Sequence, residues 1–231
     1  MRSGGHAGLF EDERIEWAKD RWAEMGRVLR GAKVLELGPL EAGHSTMLEQ
    51  FGAAEITAVE ANRRSFLKCL VVKEIMRLRH TRFLLGEAVA FLEQVSSRYD
   101  FALVSGFLYH MLEPVRLLEL LSRSCRALYV WTHYFDVDKM SLPFEMKSRF
   151  GAPARRSHAG FEHTVYPYRY EEARDWDGFC GGPKADCVWL NREGVLGALA
   201  HFGYDRIEVR EESNLHGPAL SIVAAQSGWD G

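Results

Sequence analysis

Three carboxylates stand where the chain could use them on a ligand. Glu36 lies in VLELGPLEAGHS (34–45), Glu60 ends EITAVE (55–60), and Glu87 follows RFLLG (82–86). Each closes or follows a short apolar run that reads as a buried strand, and open α/β sheets bind ligands beside the carboxyl ends of their strands. Glu60 comes 22 residues after Gly38, a separation that puts a carboxylate beside the first loop, where it can accept both hydrogens of a ribose diol. Gly38 and Gly43 let that loop turn tightly and let its backbone approach a ligand. Two histidines are placed for proton transfer: His110 in SGFLYHMLEP, after the fourth apolar run, and His133 in VWTHYFD, ending the fifth. Imidazole suits that work near neutral pH. Tyr109 and Tyr134 adjoin them and could shape a pocket or hydrogen-bond a substrate.

The elements that must carry these residues follow from hydrophobic periodicity. Residues 11–30 predict a helix, with Ile15, Ala18, Trp22, Met25 and Leu29 on one face. Strands are predicted at 32–37, 55–60, 82–86, 99–106 and 127–133, with helices between them. The helix over 63–79 should bury Phe66, Leu67, Leu70, Val71, Ile75 and Leu78, and Pro114 should open the helix through Leu121. Strands alternating with helices at this spacing give a parallel sheet with helices on both faces. A helix at about 189–202 and the runs DRIEVRE (205–211) and ALSIVAAQ (219–226) predict an antiparallel hairpin at one sheet edge. Residues 134–187 break the alternation, with four of the seven prolines, ten aromatic residues and weak periodicity.

In this order, ELGPLEAG (36–43), AVEAN (58–62), LLGEA (84–88) and YDFALVSG (99–106) resemble class I S-adenosylmethionine-dependent methyltransferases. The resemblance covers about 30–133 and 189–226. It implies an α/β, Rossmann-like fold: a mostly parallel sheet with an antiparallel C-terminal edge hairpin and helices on both faces. It implies S-adenosyl-L-methionine as cofactor. Gly38 and Gly43 would border its methionine part, with Glu36 orienting the loop or the cofactor amine. Glu60 would hold the ribose hydroxyls and Glu87 would contact the adenine amino group, and Gly106 belongs to the same cofactor-binding set. The dense GxGxG pattern of the family is not intact, because Pro39, Leu40 and Glu41 stand between the glycines. The dinucleotide fingerprint G-x-G-x-x-G is also absent, which argues against a nicotinamide cofactor. Taken singly, Gly38-Pro39 is an ordinary turn and Glu60 a solvated strand end. The reading rests on their order.

The expected activity is methyl transfer to a small-molecule acceptor, metabolite or natural product, with His110 or His133 as the base. Tyr109, Tyr134 and Tyr168 are the expected acceptor contacts. One domain spans 1–231, with 1–30 a helical extension and 134–187 an aromatic-rich insertion closing over the acceptor. The same aromatics would equally form a satellite core or a homodimer contact. Arg155, Arg156 and Arg169 add positive charge there. Two rival functions stay open: an RNA-modifying methyltransferase, since LYHM (108–111) before Glu113-Pro114 resembles a loop of enzymes that alkylate the tRNA wobble base, and a non-catalytic cofactor-binding protein.

Composition limits the alternatives. Of 231 residues, 47% are hydrophobic and 26% charged, with a net charge of −3. That profile excludes a largely disordered chain, and without a basic excess nucleic acid is a disfavoured partner. Cysteines at 69, 125, 180 and 187 form no C-x-x-C pair and read as reduced thiols in a cytoplasmic protein. MRSGGHAGLFEDERIEW has no apolar signal core, and no apolar run is long enough to span a bilayer, so no membrane partner is expected. His158, His163, Asp136 and Asp138 match no metal-binding spacing, so no metal is expected.

Overall fold

A computed structural model describes residues 10–140, 147–170, 184–214 and 217–228. Phe144, Trp176, Phe179 and Cys180, which belong to the aromatic-rich insertion, lie outside the described residues. The strands of the main sheet are β1 (Lys33–Leu37), β2 (Glu55–Glu60), β3 (Thr81–Leu85), β4 (Tyr99–Ser105), β5 (Cys125–His133), β9 (Arg206–Asn214) and β10 (Gly217–Ala225). Their order is β3-β2-β1-β4-β5-β10-β9. The first five are parallel, and β10 runs antiparallel to both β5 and β9. The chain winds outward from β1 to β3 and then crosses back to β4. The loops after β1 and β4 therefore diverge and open a crevice at their carboxyl ends.

Helix positions follow from the two-residue alternation of the central strands. Leu35, Leu37, Leu128 and Val130 point into one core with α4 (Ala88–Gln94), α5 (Pro114–Ser124) and α6 (Arg192–His201). Val34, Phe101, Tyr129 and Trp131 point the other way, toward α1 (Glu13–Glu24) and α2 (Gly43–Gln50). Burial on both faces explains why β1 and β5 read as near-continuous apolar runs. The N-terminal helix is shorter than its periodicity suggests. It starts at Asp12, whose carboxylate accepts the Arg14 N–H, and ends at Met25 before Gly26.

Helix α3 (Arg63–Met76) forms as expected but docks by the other face. Ser65, Cys69 and Val72 are buried, whereas Leu67, Leu70, Val71 and Ile75 are exposed. The small Ser and Cys side chains let the helix lie close on β2 and β3, which leaves the larger apolar side chains facing outward.

The region 134–187 is also more regular than its sequence suggests. Strands β6 (Ala154–His158), β7 (Phe161–Arg169) and β8 (Asp186–Leu190) make a second, antiparallel sheet. Ala159 and Gly160, at φ 48° and 82°, form the two-residue turn between β6 and β7, the left-handed pair that hairpins favour. The helix predicted from residue 189 begins only at Arg192, because Trp189 and Leu190 belong to β8. Its N-cap is Asn191, whose side-chain oxygen accepts the Gly194 N–H at 2.9 Å.

Candidate active site

The loop between β1 and α2 is held from several sides. Gly38, at φ 71°, donates its N–H to the Val59 carbonyl at 2.9 Å. A Cβ there would lie 2.7 Å from the Phe107 ring, so glycine is required on both conformational and steric grounds. Leu40 and Ala42 also adopt left-handed backbone, at φ 54° and 61°. The turn made with a dense glycine pattern in the resembling family is therefore made here by non-glycine residues in the same half of conformational space. Gly43 is the first residue of α2.

Glu60 explains how that loop is kept in place. Its carboxylate accepts the N–H of Leu40 at 3.1 Å and that of Asn62 at 2.8 Å. Burial raises its pKa, with these backbone donors pulling the other way. Two carboxylate oxygens offer about four lone-pair sites, so the group retains acceptor capacity for a ligand hydroxyl. Glu36 is almost completely buried, and the Ser45 hydroxyl donates to one of its oxygens. The other oxygen, Oε1, has no hydrogen-bond partner among the described residues. Burial pushes this carboxyl up to about 7, against the pull of nearby His44 and of Ser45. A buried acceptor lacking a partner matches the demand of a ligand amine. Glu87 is exposed beyond β3, with Oε1 3.4 Å from Lys184 Nζ. Gly106, at φ 70°, gives its N–H to the Trp131 carbonyl at 2.9 Å and turns the chain after β4.

The N-terminal segment contributes residues that sequence reasoning missed. Asp12 Oδ2 lies 3.0 Å from His44 Nε2 and also pairs with Arg14. Burial alone would raise Asp12, but the bonds from His44 and Arg14 outweigh it and hold the acid well below the usual carboxylate range. Arg14 in turn lies 4.7 Å above the Trp131 ring. A capping aspartate before an apolar-periodic helix is the sequence signal for this contact.

Across the crevice, His110 and His133 flank Tyr109, with ring centroids 4.2 and 4.9 Å from the tyrosine ring. His110 sits in a short 3-10 turn (Leu108–His110). Tyr170 hydrogen-bonds its Nδ1, while Nε2 is shielded from solvent and has no hydrogen-bond partner among the described residues. Burial, reinforced by nearby His133, lowers this imidazole to about 3. His133 is buried, with Nδ1 3.1 Å from the Pro218 carbonyl and its ring stacked on Trp189 at 5.3 Å.

Of the expected acceptor contacts, Tyr109 lies between the two histidines. Tyr168 packs in an aromatic cluster with Tyr170, Cys187 and Trp189, against which Tyr109, Phe135 and Phe150 rest. Tyr134 is placed differently: it is buried in the main core, and its hydroxyl accepts from Lys139 at 3.3 Å. The second sheet is tied to the loop after β4. Val188 N–H donates to the Met111 carbonyl at 2.9 Å, and Arg156 Nη1 donates to the Leu112 carbonyl at 2.8 Å. Arg155 is exposed on β6. Among the described residues no group of acids, histidines and cysteines is arranged to hold a metal ion, and no helix is long and apolar enough to cross a membrane.

The strand order, the edge hairpin and the crevice define the Rossmann-like fold of class I S-adenosylmethionine-dependent methyltransferases. Among solved structures, the N-terminal domain of EvdMO1, crystallised with SAH and D-fucose, is similar over 94% of this chain and 84% of that one, with TM-score 0.68 and 22% identity. Magnesium protoporphyrin IX methyltransferase (ChlM) from Synechocystis, with bound SAH, is similar over 93% and 83%, with TM-score 0.61 and 12% identity. An S-adenosylmethionine-dependent methyltransferase from Mesorhizobium loti is similar over 94% and 100%, with TM-score 0.59 and 12% identity. No protein-family model and no curated protein matches the sequence.

Proposed function

We propose that the protein is an S-adenosylmethionine-dependent methyltransferase acting on a small-molecule acceptor. The observation that carries this reading is the convergence of Glu36, Glu60 and Gly38 at the switch point, with the buried Oε1 of Glu36 lacking a partner among the described residues there. In this assignment Glu36 and the Gly38–Gly43 loop receive the amino-acid end of the cofactor. Glu60 takes the ribose hydroxyls, Glu87 the adenine side, and Gly106 borders the cleft. The cofactor supplies a methyl group already activated on a sulfonium. The chain's own task is to hold a nucleophile in line with that methyl, keep water out and accept a proton. His110 and His133 are the proton-handling residues, and Tyr109 and Tyr168 belong to the acceptor wall.

The insertion 134–187 is the specificity element within a single domain, and its second sheet covers the loop that carries His110. Its aromatic cluster and the D-fucose of the EvdMO1 domain both favour a small ring-shaped acceptor over a nucleic acid, as does the net charge of −3. Three free, buried cysteines, Cys69, Cys125 and Cys187, fit a reducing, cytoplasmic setting. The test is calorimetry with S-adenosylhomocysteine, followed by transfer of labelled methyl to panels of hydroxylated small molecules and to RNA. Absence of cofactor binding by folded protein refutes the reading. Labelling of RNA alone replaces the acceptor class.

A further inference from the structure

Helix α3 turns its amphipathicity inside out. Ser65 and Cys69 are buried with Val72 against the sheet, while Leu67, Leu70, Val71 and Ile75 are 61%, 38%, 50% and 62% exposed. Spacings of three and four put those four side chains in one stripe. A contiguous exposed aliphatic stripe marks an interaction site, as scattered apolar residues do not. The charge around it is just as uneven. Residues 63–82 hold seven basic side chains and one acidic, Glu74, a net of +6 in a chain whose total is −3. Arg63 and Arg64 occupy the first turn of α3, which has no acid, an arrangement the helix dipole disfavours. Arg77, Arg79 and Arg82 are exposed beyond its other end. The other two cations are held within the chain, Lys68 by Glu41 and Lys73 by the Thr81 carbonyl.

We propose that this face of α3 rests on an anionic lipid bilayer, with the aliphatic stripe at the boundary between headgroups and acyl chains and the arginines on lipid phosphates. In a helix lying in that interface, apolar burial and attraction to acidic lipids add to each other. Arginine serves both, laying its apolar stem along the stripe and its planar fork on a phosphate. Contact of this kind needs no spanning segment. Other occupants match only one of the two features. An RNA would use the cations, but unpaired bases stack on aromatic side chains, and the stripe is Leu, Leu, Val and Ile. A second copy of the chain would cover the stripe, but it would set two clusters of net +6 against each other. Arg63 opens α3 just past Glu60, so the lipid-facing helix starts at the rim of the crevice. Docking of this kind holds whether or not the crevice transfers methyl groups.

Co-sedimentation of the whole protein with vesicles tests the proposal. Vesicles of phosphatidylcholine with about one quarter phosphatidylserine should carry the protein down at low salt, and pure phosphatidylcholine vesicles should carry down far less. Added salt should release it, because charges at a surface are screened. Arg77→Gln and Arg79→Gln should each weaken binding by about fivefold, the worth of one cation near an acidic surface. Leu67→Ser/Ile75→Ser should weaken it by about tenfold or more, because two aliphatic side chains are no longer there to bury. All four side chains are exposed, so thermal unfolding of each variant should match the wild type, which ties any loss to the face itself. Equal binding to both kinds of vesicle, binding to neither, or wild-type binding by Leu67→Ser/Ile75→Ser would overturn the proposal. So would a dimer in sedimentation velocity that the same double variant dissociates, or filter retention of RNA that the arginine variants abolish, since either gives the face another occupant.

Discussion

Glu36 gives the structure a pH dependence that can be measured on the protein alone. Its carboxyl is buried and its pKa rises from 4.5 to about 7 on folding. The folded state therefore binds the proton more tightly than the unfolded chain does. The stability this confers is fully present below pH 4.5 and is lost as pH rises through 7. A rise of about 2.5 units at 1.36 kcal/mol each is worth on the order of 3 kcal/mol. Glu36→Gln isolates this contribution, because the amide has nearly the same shape, can still accept the Ser45 hydroxyl through its oxygen, and does not titrate. Urea unfolding of both proteins from about pH 5 to pH 8 should show the wild type losing stability relative to the variant, by about 2.5 kcal/mol over that range. A ligand ammonium beside Glu36 would favour the ionised acid. Binding of S-adenosylhomocysteine at a pH just below the carboxyl's pKa should therefore release protons, seen as a dependence of the binding heat on the buffer's ionisation enthalpy. Parallel stability profiles for the wild type and the Glu36→Gln variant would refute the reasoning, because they would mean that the acid is ionised or solvated throughout this range.

Other variants probe the rest of the site. Glu60→Ala removes the acceptor for Leu40 and Asn62 and for the proposed diol; at about 1.5–3 kcal/mol per charged hydrogen bond, calorimetry should find S-adenosylhomocysteine affinity lower by about tenfold or more. Unchanged affinity in a folded variant would mean that the ribose lies elsewhere. Gly38→Ala places a Cβ against Phe107 at a left-handed position, so thermal unfolding should register a loss of at least about 1–2 kcal/mol. The double variant Gly38→Ala/Phe107→Ala should recover the steric part. Asp12→Ala removes the cap of α1 together with its contacts to Arg14 and His44, and denaturant titration should show a loss of about 1–2 kcal/mol. A loss near zero would mean that α1 is not held to α2 through this acid.

Much of the molecule follows from local pattern. The five parallel strands are legible because each is a short apolar run bounded by turns, and the acids at Glu36, Glu60 and Glu87 are legible because they end or follow those runs. The final hairpin is legible from two adjacent strands with a short connection. Other features arise only when distant segments meet. Periodicity makes 63–76 a helix, but the close approach of Ser65 and Cys69 to the sheet decides which face is buried, and it leaves Leu67 and Ile75 outside. Strand β6, with four of its five residues exposed, carries no alternation of its own. It is a strand because the Ala159-Gly160 turn returns it to β7. Tyr134 neighbours a candidate base in sequence, yet it points into the core on the opposite phase of the strand end. The contacts made by the two histidine rings join residues 60 and 85 positions apart, Tyr170 to His110 and Pro218 to His133. A histidine's type and strand position are written in the sequence. Which of its nitrogens holds the proton depends on the group that packs against the other nitrogen, and only the tertiary structure supplies that group.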